Sequence, residues 1–399
     1  MKYVIVIPDG AGDRPQESLD FKTPLEAAHT PTLDFLSAKA QVGLSENIPP
    51  GFTPGTDIGC MSIFGYDPSK FYSGRGPLEA AQLGVSLKGK ELAFRCNLVT
   101  EQEGILKDYS ADHISLSEAR QIFQTLNKEF SDLPVKFYPG LGTGYRNLMV
   151  LVNPEKGTDL LKIAPPHDIM GERVEEHLPS ESDEPLLRKL MMDSKAILED
   201  HPVNKARERG GRGKANMIWL WGQGKASKWP SYQERFNKRC AVITAVDLVK
   251  GIGIYAGLDV INVPGVTGYF DTNYEGKAEY AVNSLKIRDA VIIHIEATDE
   301  AGHMGEVKLK VEAIENIDRR LLKPLVDALE VFGEYKIMVV PDHFTCLSTR
   351  THSMDPVPYL IYSNRHPLKG PSKFCERTAA ETFQPMRKGH ELVELLFSS

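Results

Sequence analysis

Ala290-Val-Ile-Ile-His-Ile295 runs directly into Glu296-Ala-Thr-Asp299-Glu-Ala-Gly-His303, and the reading of this stretch decides the fold. A short apolar run, rich in β-branched residues and ending abruptly in acidic and polar ones, suits a fully buried parallel strand. The same design recurs along the chain. Tyr3–Ile7 leads into Pro8-Asp9-Gly10, Lys336–Val340 leads into Pro341-Asp342-His343, and Pro358–Tyr362 is a further run of the same kind. Helical patterns lie between them. In Lys308–Leu329 the apolar Ile314, Ile317, Leu321, Leu325 and Leu329 recur at steps of three and four, and Pro324 is placed to kink or split that helix. Strands alternating with helices predict an α/β protein whose ligands sit at the carboxyl ends of the strands. Asp9, Asp299, Asp342 and His343 all fall at such ends.

Working outward, 399 residues suggest two or three domains. The middle of the chain differs from its ends: it carries His113, Arg146, Pro165-Pro-His-Asp168 and Arg207-Glu-Arg-Gly-Gly-Arg-Gly-Lys214. The expected organisation is a core built from both ends, residues 1–75 and 225–399, interrupted by an inserted domain at 76–224. Lys and Arg number 47 against 54 Asp and Glu, a net charge of −7. That balance disfavours nucleic acid or an acidic membrane as main partner and leaves room for a small anion in a local basic pocket. Five scattered cysteines with no CxxC pair exclude a disulfide framework and a zinc ribbon. The apolar run before Pro8 is too short for a signal peptide or a membrane span. Reduced thiols and the missing leader predict a cytoplasmic protein, its oligomeric state left open.

The chemistry concentrates in the last hundred residues. Asp299 and His303 are four positions apart, Asp342-His343 follows a strand, and His352 lies nine residues on. Taken singly, each aspartate reads as a turn or N-cap residue and each histidine as core or surface. Together with Asp9 they offer oxygen and nitrogen donors fit for Zn²⁺ or Mn²⁺, and enough of them for two metals clamping a phosphoryl group. A nucleophile is then required. In Thr53-Pro-Gly-Thr56-Asp-Ile-Gly-Cys60 a turn precedes a hydroxyl at a helix start, where free N–H groups attract an anion. Thr56 is the candidate; Cys60 has no base placed beside it and reads as packing. Arg75, Arg146, Arg207 and Lys250 are candidates for holding phosphate or carboxylate. Gly251-Ile-Gly253 lacks the strand and acid of a dinucleotide loop, and there is no GxxxxGK[ST], HExxH or GxSxG.

Pro8-Asp-Gly10, Thr23-Pro-Leu-Glu-Ala-Ala28, Pro54-Gly-Thr-Asp57, Phe64-Gly-Tyr-Asp-Pro68, Gly74-Arg-Gly-Pro77, Asp299-Glu-Ala-Gly-His303 and Asp342-His343 with His352 together resemble the alkaline-phosphatase superfamily. Over nearly the whole length the chain is most similar to its archaeal-type cofactor-independent phosphoglycerate mutases. The resemblance implies a mostly parallel sheet with helices on both faces, an inserted α+β domain closing over the substrate, and a covalent phospho-enzyme. It implies two divalent metals, Mn²⁺ or Zn²⁺ with Mg²⁺ as a further option. Asp299, His303 and His352 would hold one, and Asp9, Asp342 and His343 with Thr56 the other. It also implies a small phosphorylated metabolite as partner, contacted by His113, Arg146, Arg207 and Lys250. Two departures stand out. Thr56 replaces the serine usual in such mutases. Phe94–Thr100, Asp108–Ile114, Ile218–Gly224 and Gly268–Lys277 look like a bacterial branch proposed to act as a homoserine kinase in threonine biosynthesis. The expected reaction is interconversion of 3- and 2-phosphoglycerate, with homoserine phosphorylation and then phosphate hydrolysis as alternatives.

Overall fold

Strand Lys2–Pro8 is buried along almost its whole length because its neighbours pair with it on both edges. The computed structural model describes residues 1–140, 143–180, 182 and 184–398. It divides into two units, one of Met1–Tyr72 with Trp229–Ser399 and the other of Ser73–Lys228.

In the first unit an eight-stranded sheet runs, edge to edge, Arg387–Lys388, Ala40–Glu46, Val357–Ser363, Tyr335–Val339, Lys2–Pro8, Ala290–Ile295, Cys240–Ile243 and Asp259–Val260. The five strands from Tyr335–Val339 to Asp259–Val260 are mutually parallel. Val357–Ser363, expected to be parallel like the rest, is antiparallel to Tyr335–Val339. The reason lies in the connection: residues 340–356 hold only the small hairpin Phe344–Cys346/Thr351–Ser353, and no helix carries the chain back for a parallel crossover. Period-two alternation sends Val4 and Val6 into a core with Leu36, Ala281, Leu285, Leu321 and Leu325, while Tyr3 meets Phe397 on the opposite face. Helices therefore cover both faces.

The helix expected over Lys308–Leu329 is broken before its proline. Val307–Asn316 is α-helical, Ile317–Leu322 is a π-helical stretch, and Lys323–Leu329 resumes with Pro324 in its first turn, where a missing N–H costs little. Gly251 and Gly253 sit inside the helix Asp247–Tyr255, so they form no loop.

The second unit is an antiparallel sheet of Leu92–Gln102, Ile105–Asp108, Val135–Pro139, Arg146–Leu151 and Met217–Lys225. Phe94, Cys96 and Leu98 pack on one face against Ile122, Phe123 and Leu126 of the helix Leu116–Glu129 and Leu187, Leu190 and Met191 of the helix Pro185–Leu198. Ala93, Leu148 and Val150 pack on the other with Ala80 of the helix Arg75–Gln82. Each such large apolar side chain, fully buried, contributes roughly 1.5–3 kcal/mol. No helix of the described residues is long and apolar enough to cross a membrane.

Candidate active site

Three parallel strands deliver their last residues to one place. Lys2–Pro8 ends at Asp9, Ala290–Ile295 leads to Asp299 on the helix Ala297–Met304, and Tyr335–Val339 leads to Asp342 and His343. The turn after the first strand fits only glycine: Gly10 has φ +60°, and a Cβ there would stand 2.3 Å from Thr345 Oγ1 and 2.6 Å from Asp299 Oδ1. Its N–H donates to Asp342 Oδ1 at 3.0 Å, as does the N–H of His343. Gly59 serves the same closeness on the helix Thr56–Ile63, since its Cβ would lie 2.6 Å from the carbonyl oxygen of Asp342.

Asp9 and Asp342 are 1% and 0% exposed, and Asp299 is 7%. Burial, then the nearby charges of Asp342 and Asp299, push the Asp9 carboxyl well above its ordinary range. Against the desolvation of its own burial, the imidazoles of His303 and His352 hold Asp299 well below that range. Its Oδ2 lies 3.3 Å from His303 Nε2 and its Oδ1 3.3 Å from His352 Nε2, and Asp299 also accepts from the Thr345 hydroxyl. His303, paired with Asp299, is raised to about 9.

The three imidazoles share one arrangement. Nδ1 of His343, His303 and His352 faces the backbone oxygens of Phe344, Arg350 and Pro54 at 3.3, 3.0 and 3.3 Å. Such contacts favour a proton on Nδ1 and leave each Nε2 facing inward, the orientation that backbone oxygens impose on metal-binding histidines. His303 and His352 then bring Nε2 atoms within 3.0 Å of each other, which requires a proton or a cation between them. Asp9 Oδ1 is buried without a hydrogen bond among the described residues, 3.4 Å from His343 Nε2. Ligand atoms of Asp9, Asp342 and His343 lie mutually within 4.8 Å, as do those of Asp299, His343 and His352. Converging carboxylates, inward-facing imidazole nitrogens and a buried carboxylate oxygen without a hydrogen bond fit divalent cations.

Thr56 opens the helix Thr56–Ile63, while Gly55 occupies the N-cap. The Thr56 hydroxyl lies 3.4 Å from His343 Nε2, beside the Asp9–Asp342–His343 set. Cys60, one turn on, places Sγ 3.7 Å from Asp342 Oδ2. Burial and then the charge of Asp342 push its thiol well up, which disfavours the thiolate.

Sequence reasoning passed over two residues of this cluster. His294 is fully buried, 3.1 Å from Asp9 Oδ2 through Nε2, with Nδ1 3.2 Å from Thr244 Oγ1. Thr345 bridges Asp299 and His343. A histidine inside an otherwise apolar strand was the visible clue to the first; nothing in the sequence marks the second.

The basic residues separate into different settings. In the second unit Arg75 lies 5.6 Å from the ring of Trp221, His167 5.6 Å from Trp221 and 6.0 Å from Tyr109, and Tyr109 5.9 Å from Tyr145. Tyr145 in turn contacts His113 at 6.3 Å and Arg146 at 5.3 Å. Arg75, His113 and Arg146 thus belong to one aromatic–basic strip that also includes His167. Burial lowers the His167 pKa; Asp168 opposes that, and the cations Arg75, Arg95 and Arg146 add to it. Arg207, expected to contact substrate, is instead 0% exposed. Its Nε donates to Gly213 O at 2.8 Å, Nη1 to Glu118 at 3.1 Å and Nη2 to Ala111 O at 2.5 Å, so the guanidinium is spent inside the unit. Lys250, in the first unit, pairs with Asp247 at 2.9 Å.

Comparison with known proteins sets this geometry in context. A model of the 2,3-bisphosphoglycerate-independent phosphoglycerate mutase family matches residues 37–204. A protein of that name from Methanosarcina acetivorans is 47% identical over 398 residues, 99% of each chain. Another from Pyrococcus furiosus is 36% identical, across 99% of this chain and 96% of its own. Among solved structures, a Pyrococcus horikoshii protein superposes with a TM-score of 0.82 at 32% identity, over 100% of this chain and 98% of its own. The cofactor-independent phosphoglycerate mutase of Thermoplasma acidophilum gives 0.66 at 29%, over 99% of both.

Proposed function

The chain belongs to the 2,3-bisphosphoglycerate-independent phosphoglycerate mutase family, and on that premise we propose that it interconverts 3-phosphoglycerate and 2-phosphoglycerate through a phosphorylated Thr56. The observation that carries the reading is the Thr56 hydroxyl, 3.4 Å from His343 Nε2 at the edge of a buried carboxylate–imidazole cluster.

Asp9, Asp342, His343 and Thr56 would hold one divalent ion, and Asp299, His303 and His352 the other; mixed oxygen and nitrogen donors suit Mn²⁺ or Zn²⁺. Bound there, such ions supply a lowered hydroxyl pKa and neutralise phosphoryl oxygens. Thr56 Oγ1 gives up its proton and attacks phosphorus. The bond from phosphorus to the C3 oxygen breaks, its electron pair leaves with that oxygen, and a proton returns to it. Glycerate stays bound. Its C2 hydroxyl then loses a proton and attacks the phosphothreonine, breaking the P–Oγ1 bond and restoring Thr56. Because the enzyme stores the group itself, no bisphosphorylated cofactor is consumed. Within the second unit, Arg75 and Arg146 offer positive charge, and His113 and His167 offer ring nitrogens, of a kind suited to the anionic groups of a small metabolite. All five cysteines are buried free thiols, which suits the reducing cytoplasm we assign to the protein.

Phosphorus NMR of the protein with Mn²⁺ and 3-phosphoglycerate, without bisphosphoglycerate, tests the reading. A 2-phosphoglycerate resonance is expected, and its absence with metal bound would sink the proposal. Thr56→Ala should abolish conversion while keeping most of its metal, since Asp9, Asp342 and His343 remain. Homoserine phosphorylation would use the same core but is not favoured, because the relatives matched end to end bear the mutase name.

A further inference from the structure

Ala111, Asp112 and His113 have φ of 50°, 51° and 47°, three successive non-glycine residues in the left-handed region. Single L-residues visit that region with difficulty, and three in a row persist only where surrounding contacts impose them. The contacts here come from two sides. Asp108 holds the N–H side: Oδ1 accepts from Ser110 N and Oγ, both at 2.7 Å, and Oδ2 accepts from Asp112 N at 2.5 Å. Arg207 holds the carbonyl side, donating through Nη2 to Ala111 O at 2.5 Å and Asp112 O at 3.4 Å. Nη1 is anchored on Glu118, whose carboxylate closes the capping box of the following helix with Ser115. The turn presents an exposed His113 beside Tyr145 and Arg146 in the aromatic–basic strip.

We propose that Arg207 is a positioning residue, which clamps the left-handed Ala111–His113 turn from inside the unit and so fixes where His113 stands to meet the substrate anion. The inference rests on the reading of His113 as a phosphoglycerate-contacting residue. It explains why an arginine is used: only a planar fork with several donors reaches two successive carbonyls and a carboxylate at once. Lysine keeps the charge but holds one point.

A double-mutant cycle tests it, with kcat/KM for 3-phosphoglycerate measured on the Mn²⁺-loaded full chain and folding checked by circular dichroism and urea unfolding. His113→Ala and Arg207→Lys should each lower kcat/KM at least about tenfold, and the double variant should be no worse than His113→Ala, because Arg207 acts through His113. Adding Asp112→Gly to Arg207→Lys should recover most of the loss, since glycine adopts positive φ without the clamp. Adding it to His113→Ala should recover nothing. Multiplicative losses in the double variant, or no rescue by glycine, overturn the inference alone. A fully active His113→Ala overturns the reading of His113, and the inference with it. If Arg207→Lys fails to fold, the same cycle with Asp108→Asn, which loosens the opposite side of the turn, carries the same expectation.

Discussion

The Thr56 hydroxyl is not spent on capping its helix, because Gly55 takes the N-cap position. A threonine one place earlier would have spent its oxygen on the helix, the commoner fate of such residues. Thr56→Ser retains the hydroxyl proposed to attack phosphorus and relaxes χ1, so turnover should stay within about tenfold of the parent, as steady-state kinetics would show. The proposed metal ligands make a second expectation. Asp299 and His303 lie on one helix face four residues apart, and their pairing depends on both. Asp299→Ala combined with His303→Ala should lower bound metal by about one equivalent in elemental analysis; retention of two equivalents would refute the assignment. His343 complicates any simple division, since its ring lies within ligand reach of both carboxylate sets.

Among elements, the helix Val307–Asn316 does more than cover the sheet. Lys310 is fully buried and its ammonium donates to Asp13 Oδ2 at 2.8 Å, Thr345 O at 2.7 Å and Gly12 O at 3.2 Å. It therefore ties the loop after Asp9 to the segment that supports Asp299. Removing one partner of a buried pair strands the other charge, and that penalty outweighs the packing an apolar replacement restores. Lys310→Met should cost about 3–5 kcal/mol in urea unfolding, and the double change Lys310→Met with Asp13→Leu should cost much less. Equal losses in the two variants would show that the pair's charge is not what matters. The π-helical stretch Ile317–Leu322 has a comparable structural setting: Asp318 accepts the N–H groups of Thr32 and Leu33 at 3.2 and 2.6 Å, pinning the start of the helix Pro31–Ser37.

Across the whole molecule, the second unit is one continuous segment with its own core, whereas the first needs both chain ends. A fragment of residues 73–228 should fold alone, giving dispersed amide resonances and a cooperative melt; a collapsed spectrum would contradict this. Glu376 bears on global stability in the first unit, accepting from Asp13 N at 3.0 Å and Thr23 Oγ1 at 2.6 Å. Desolvation raises its pKa from 4.5 to about 7, with those hydrogen bonds acting in opposition. The folded state thus holds a proton that the unfolded chain has released, so this contribution is full below about pH 4.5 and is lost as pH rises through about 7. Glu376→Gln should flatten the fall in unfolding free energy across that window, measured by urea titration at a series of pH values.

Local chemistry made the fold class and most of the cluster legible. Buried strands announce themselves by apolar runs, and Asp9, Asp299, Asp342 and His343 could be placed because the residues that end parallel strands face the same edge. The place of Thr56 at a helix start was legible from the Pro-Gly turn before it. Sequence by itself determined which side chains were available, and in what order. Tertiary structure alone decided which of them meet. His294 faces Asp9 through register between two strands far apart in the chain, and Thr345 reaches from a hairpin to Asp299 on the helix Ala297–Met304. Arg207 shows the limit best: its glycine- and arginine-rich surroundings read as an exposed anion site, yet the fold turns its guanidinium inward. Direction and burial are set by packing against distant segments, and a side chain's charge carries no record of either.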